Sequence, residues 1–183
     1  MLSIVIPVLG DDFQLSRALL AIRANDRRCE VIIVAAETTG VTDELADRHG
    51  AIVILSPVSQ RAAQMNLGAL KALGDVLLFL HADTLLPATA LECIESKLRN
   101  PGVVGGAFAR RYEPASAFLN ATCFLAEMRS RISGWFLCDQ AMFVRREVFE
   151  RLGGFRDYDL FEDLDFARRM RREGRVVTLW PPV

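Results

Sequence analysis

Hydrophobic positions recur along this chain with two alternating periods. Residues 2–7 form a β-branched apolar run closed by Pro7, the pattern of a buried strand. In residues 13–25, Leu15, Ala18, Leu19 and Ile22 recur at i, i+3, i+4 and i+7, which marks one face of a helix. Asp11 or Asp12 is placed to cap it. Residues 31–34 read as a second strand. Residues 42–49 read as a short helix, with Asp43 and Glu44 in its first turn and Gly50 past its end. A strand at 52–55, a helix at 60–73 stopped by Gly74, and the apolar strand VLLFL at 76–80 follow. Pro87 then suits the first turn of a helix to about Leu98, with Leu91, Ile94 and Leu98 inward. This β-α alternation predicts parallel strands joined by crossover helices.

The second half is less regular. Residues 103–112 read as a strand in which Gly105 and Gly106 permit a close approach or a bulge. Residues 115–132 look helical and carry Phe118, Leu119, Phe124, Leu125 and Met128. An ordinary core helix is the default for that apolar content, and a platform for a lipid acceptor is the alternative. A short strand at 141–144, a helix at 146–152 ended by Gly153 and Gly154, a helix at 163–173 and a strand at 176–180 complete the chain. There is no internal repeat and no low-complexity linker. The expectation is one α/β domain over residues 1–183. An exposed final strand would invite edge pairing, and so a homo-oligomer.

Composition narrows the function classes. With 183 residues, the chain can bury roughly 70% of its unfolded surface without a disulfide or metal. The 22 basic and 23 acidic residues leave a net charge of -1, with no like-charge block, which argues against a nucleic-acid partner. Cys29, Cys93, Cys123 and Cys138 are widely spaced and read as single thiols in a reducing compartment. The opening lacks a basic leader region, and no apolar run approaches the ~18 residues of a spanning helix. The expected location is cytoplasmic, with no integral membrane segment.

In open parallel sheets, ligands bind beyond the carboxyl ends of the strands, so the candidates lie there. No G-x-G-x-x-G or P-loop pattern follows Pro7, Val8 and Leu9. After the fourth strand, Asp83 could offer a hard oxygen to Mg²⁺ or Mn²⁺, with His81 as a second ligand; the alternative is a helix cap and a half-buried histidine. Glu162 and Asp163 open a helix, as a general base or simply as acids suited to the macrodipole. Asp139 and Gln140 precede a strand and could touch substrate or form a plain turn. Trp135 could stack on a sugar, with core packing as the default. Arg61 could pair with phosphate, and Asn66, mildly unfavourable inside a helix, hints at a hydrogen-bonding duty; Gln64 shares their stretch.

The combined pattern resembles the family 2 glycosyltransferases of GT-A fold. Within them it is similar to a bacterial subgroup, the radical-SAM/selenodomain-associated transferase 2 proteins. The segments that carry the resemblance are IVIPVLG, SQRAAQMNLGALKALGDVLLFLHADTLLP, GGAF, DQAMFVRREVFERLGGF and FEDLDFARRMRREGRV. It implies a Rossmann-like mixed sheet, mostly parallel, with helices on both faces. It implies a nucleotide-binding half over about 1–100 and an acceptor-side half over about 101–183. By the same resemblance, Asp83 holds the metal on the donor diphosphate, with His81 where many members have the first aspartate. Asp163 would be the catalytic base beside Glu162. Pro7, Val8, Leu9, Arg61, Gln64 and Asn66 would lie on the donor side, and Trp135, Asp139 and Gln140 on the acceptor side. Ala35 stands where members carry a base-contacting aspartate, and Glu37 is its substitute.

The expected activity is metal-dependent transfer of a sugar, with inversion, from a nucleotide-diphosphate donor. A UDP-sugar is favoured and a GDP-sugar is the alternative. The acceptor would be a small molecule or lipid-linked. Two competing readings are a donor-blind binding or scaffold protein and, ranked lower, a nucleotidyltransferase.

Overall fold

The apolar run at the start forms strand β1 (Leu2–Val8), and six more strands join it in one sheet. They are β2 (Cys29–Ala35), β3 (Ile52–Leu55), β4 (Val76–Phe79), β5 (Val103–Phe108), β6 (Met142–Arg145) and β7 (Arg175–Leu179). The structure is a computed structural model describing residues 1–158 and 160–183, apart from the Cys138 side chain. The strand order is β3-β2-β1-β4-β6-β5-β7. Strands β3, β2, β1 and β4 are mutually parallel, as the alternating pattern predicts. Strand β6 is antiparallel to both neighbours, β4 and β5, while β5 and β7 pair in parallel. The sheet is therefore mixed and mostly parallel.

Alternate residues of each strand face opposite sides, so the sheet carries two cores. Ile4, Ile6, Val31 and Ile33 pack with helices α1 (Asp12–Arg23), α2 (Gly40–His49) and α4 (Ala90–Leu98). Val5, Ile32 and Val34 pack with α3 (Arg61–Lys71), α6 (Arg146–Arg151) and α7 (Glu162–Glu173). In the second core, the rings of Phe79, Phe149, Phe155 and Phe166 meet at centroid separations of 4.7–5.6 Å. Asp11 caps α1 by accepting from the Gln14 N–H at 3.1 Å.

Gly105 and Gly106 answer to a packing need. A Cβ on Gly106 would run into the Val177 carbonyl, and one on Gly105 would lie 2.6 Å from the Met170 sulfur. The β5–β7 register shifts between Val103 and Gly105, the irregularity these glycines allow.

Some boundaries differ from the sequence expectation. Strand β5 leaves the sheet after Phe108, although Ala109 and Arg111 still donate to the Leu179 and Val183 carbonyls. Helix α4 begins at Ala90, because residues 87–89 form a separate turn closed by Ala90 N–H to Pro87 C=O. Helix α3 ends at Ala72, whose extended ψ stops it before Gly74. Gly74 instead donates its N–H to Ser3 Oγ, with no room there for a side chain.

The larger correction concerns helix α5 (Ala117–Ser133). It is not an ordinary core helix. Its buried face holds the small residues Cys123, Ala126 and Ser130, while Phe118, Phe124, Leu125 and Ile132 are 62–75% exposed. Cys29, Cys93 and Cys123 are free thiols. Among the described residues, no helix is long and apolar enough to cross a membrane.

Candidate active site

The sheet brings several chain ends to one edge. Strands β1, β2 and β4 run toward it and β6 runs away, with Phe79 facing Met142. The segment entering β6, with Asp139 and Gln140, therefore arrives beside the residues leaving β4, His81 to Asp83. The antiparallel direction of β6 makes this meeting possible. Helix α7 delivers Glu162 and Asp163 at its N-terminus.

His81 is half-buried, and its Nε2 has no hydrogen-bond partner among the described residues. Burial pushes its pKa below the ordinary imidazole value, and the charge of Arg61 pushes the same way; Asp83, Asp139 and Asp163 oppose them. The imidazole is thus neutral near pH 7 and can offer a lone pair. Four charged groups from four segments act on this one ring. Asp83 itself is exposed, and its Oδ1 accepts from the Thr84 hydroxyl at 3.3 Å.

Glu162 and Asp163 are only 5% and 8% exposed, in the first turn of α7, where the helix dipole favours carboxylates. Arg61 Nη1 stands 3.9 Å from Glu162 Oε1, and the Leu164 N–H donates to Asp163 Oδ1 at 2.6 Å. Burial raises the Glu162 pKa; a backbone N–H bond lowers it, Asp163 raises it further, and Arg61 lowers it. Phe161, just before the pair, sits at φ 65°, a costly left-handed conformation for an aromatic residue. Ala141, just after Gln140, is at φ 50°. The two positive-φ residues other than glycine described here therefore adjoin the two acidic segments, which fits strain held at a functional site.

Asp139 pairs with Arg110 and accepts from the Tyr112 hydroxyl at 3.2 Å, while its Oδ1 is buried without a described partner. Arg110 and Tyr112 were not singled out from sequence. The signal was a run of polar residues beyond β5, which looks like ordinary strand-end chemistry.

Several predicted site residues are committed elsewhere. Gln64 is buried, and its amide donates to the Val8 and Val34 carbonyls at 3.0 and 3.1 Å, tying the ends of β1 and β2 together. Val8 itself lies in the core. Asn66 clamps both backbone groups of Phe155, at 2.8 and 2.9 Å, so its hydrogen-bonding duty is internal. Gln140 is fully buried and donates to the Phe108 carbonyl and Ser130 Oγ. All three amides are thus engaged in hydrogen bonds within the fold. Trp135 is not a core residue: it is 36% exposed and covered by the Arg168 guanidinium at 4.1 Å. Leu9 and Glu37 are exposed in the loops after β1 and β2, and Pro7 is half-buried within β1. Two cavities, of about 580 and 760 Å³, are lined by other residues.

No group of three or more His, Cys, Asp or Glu side chains among the described residues is placed to hold a metal ion. A cation bound together with a diphosphate needs only one or two protein ligands, because phosphate and water oxygens complete its shell. The unpartnered His81 Nε2 beside the exposed Asp83 fits that requirement.

A seven-stranded mixed sheet with acidic segments gathered at one edge is the architecture of the GT-A glycosyltransferases. The chain belongs to glycosyl transferase family 2, whose profile matches residues 3–153. Among solved structures, it is similar to the mannosyltransferase PcManGT from Pyrobaculum calidifontis in complex with GDP-Man and Mn²⁺, at 22% identity and a TM-score of 0.77. That match covers 97% of this chain and 54% of the other. Similar too is S. aureus TarS 1-349 in complex with UDP, at 13% identity and a TM-score of 0.80, over 97% of this chain and 57% of that one. Glucosyl-3-phosphoglycerate synthase from Mycobacterium tuberculosis, with Mn²⁺ and UDP-glucose, matches at 14% identity and a TM-score of 0.67, over 97% and 68%. The chain thus spans little more than half the length of the first two. No curated protein sequence matches it.

Proposed function

We propose that this chain transfers a sugar from a nucleotide-diphosphate donor to an acceptor hydroxyl, with inversion. The unpartnered Nε2 of the half-buried His81, beside the exposed Asp83 just past the end of β4, is the observation that carries the reading. The 1–100 half holds the donor and the 101–183 half the acceptor. A UDP-sugar is the favoured donor and a GDP-sugar the alternative. The RAAQMN and GDVLLFLHADT segments support membership of the radical-SAM/selenodomain-associated subgroup.

Asp83, with His81, would hold Mg²⁺ or Mn²⁺, which supplies charge stabilisation at the diphosphate when bound. Arg61 adds fixed positive charge at the same edge. Asp163 takes the proton from the acceptor hydroxyl as its oxygen attacks the anomeric carbon and the diphosphate departs from the opposite face. Asp163 is held for this by the α7 terminus, and Glu162 anchors Arg61. Asp139, held by Arg110 and Tyr112, borders the acceptor.

A thermal-shift panel of UDP, GDP and their sugars, each with Mn²⁺, Mg²⁺ or EDTA, tests the donor site. A ligand at 100 times its Kd stabilises by about 2.7 kcal/mol. Asp83→Ala should weaken the metal-dependent shift. Asp163→Asn should keep that shift while turnover of the identified donor falls roughly 10²–10⁴-fold. Full turnover in Asp163→Asn would overturn the base assignment. No shift with any nucleotide would favour the donor-blind binding protein, a reading to which Ala35, fully buried at the end of β2, lends support.

A further inference from the structure

Helix α5 is built inside out. Its solvent face carries Phe118, Phe124, Leu125, Met128 and Ile132, 43–75% exposed, while its inner face is small and partly polar. Contiguous exposed apolar surface of this kind marks an interaction face. The C-terminal turn of α5 also lines the 760 Å³ groove over the edge strand β7, to which it contributes Arg131 and Ile132. Lys97, Arg171 and Arg175 complete the charged lining of that groove, which contains no carboxylate. Thr178 Oγ1, also in the lining, is buried without a described partner. The nearby Glu127 is already engaged by Arg131 at 2.6 Å and by Trp180 Nε1 at 2.9 Å. The two tryptophans of the chain flank this face: Trp135 follows the α5 cap and Trp180 bonds Glu127, and they are 36% and 46% exposed.

We propose that α5 and the cationic groove beside it seat the protein on an anionic lipid bilayer. The parts match that partner's chemistry. Aromatic and aliphatic side chains enter the acyl boundary, arginine and lysine meet the phosphates, and half-exposed tryptophans sit at the headgroup level. A second copy on the same face would bring cationic rim against cationic rim, which is unfavourable. The proposal does not depend on the glycosyltransferase reading, because the exposed α5 residues and the groove cations are not among the residues placed at the site; Trp135 alone is shared with the expected acceptor side.

Co-sedimentation of the full chain with vesicles tests it, comparing pure phosphatidylcholine with phosphatidylcholine containing phosphatidylglycerol. Binding should be at least tenfold stronger to the anionic vesicles and should weaken with salt. Each surface cation contributes roughly fivefold, so Lys97→Gln with Arg175→Gln should weaken binding about 25-fold. Phe124→Ser with Leu125→Ser, both at exposed positions, should also abolish sedimentation while leaving the melting temperature and nucleotide binding unchanged. Equal binding to both vesicle types, or to neither, would overturn the proposal. So would a loss of self-association in the serine variant with vesicle binding intact, which would make the face a contact between copies. Full competition by millimolar inorganic phosphate would make the groove a soluble-anion site instead.

Discussion

Removing the Asn66 side chain separates a positioning role from a ligand-binding one. Its amide satisfies the N–H and C=O of Phe155, 89 residues away, and Phe155 is 3% exposed. Asn66→Ala leaves both backbone groups without a partner, at about 1–3 kcal/mol each. Water can reach part of this region, and Arg169 still grips the neighbouring Leu152 and Gly154 carbonyls at 2.8 Å, so the summed loss should be about 2–4 kcal/mol. At this chain length that corresponds to a melting temperature lower by about 6–12 °C. Urea unfolding should show a reduced midpoint with an unchanged m-value, since the surface exposed on unfolding is the same. A destabilisation below about 1 kcal/mol, together with a tenfold weaker nucleotide shift, would refute the clamp and return Asn66 to the donor.

Gly106→Ala would drive a Cβ into the Val177 carbonyl and should destabilise by roughly 3 kcal/mol or more; an unaltered urea midpoint would contradict the β5–β7 packing. Because the folded His81 pKa lies below the unfolded value of about 6.5, the unfolded chain binds more protons in the window between them. Wild-type stability should therefore fall as pH drops below 6.5, and fall less in His81→Gln; parallel curves would remove His81 as the cause. The raised Glu162 pKa means that its ionised form is disfavoured in the fold, so Glu162→Gln should melt at the same or a higher temperature than wild type at pH 8. A clear drop in melting temperature would show instead that the Arg61 contact dominates.

The first half of the fold was legible because each element carries one clean period. The buried residues of α1 are the Leu15, Ala18, Leu19 and Ile22 that the spacing picks out. The direction of β6 was not legible, since four apolar-rich residues read the same in either sense and only pairing with β4 and β5 fixes it. Helix α5 misled because apolar content says nothing about which side of a helix meets the sheet. At the site, residue type singled out polar and charged groups beyond the strand ends but could not show which of them bond within the fold. Gln64, Asn66 and Gln140 are polar residues in suggestive places, yet their partners are carbonyls distant in sequence. Arg110 and Tyr112 could be found only once β5 and β6 were side by side.

The seam between β4 and β6 is where two separately woven halves of the chain join. Residues 2–79 supply β3, β2, β1 and β4, and residues 103–179 supply β6, β5 and β7. Asp83 lies on one side of that seam, while Asp139 and Asp163 lie on the other, and four residue pairs make the ladder between them. Arg146 rivets the same join through the Gly74 carbonyl at 2.6 Å and the Ala69 carbonyl at 3.3 Å. In the proposed reaction the metal-holding side of the centre comes from the earlier half and the base from the later one, so parting the sheet along this line would take that centre apart without unfolding either side.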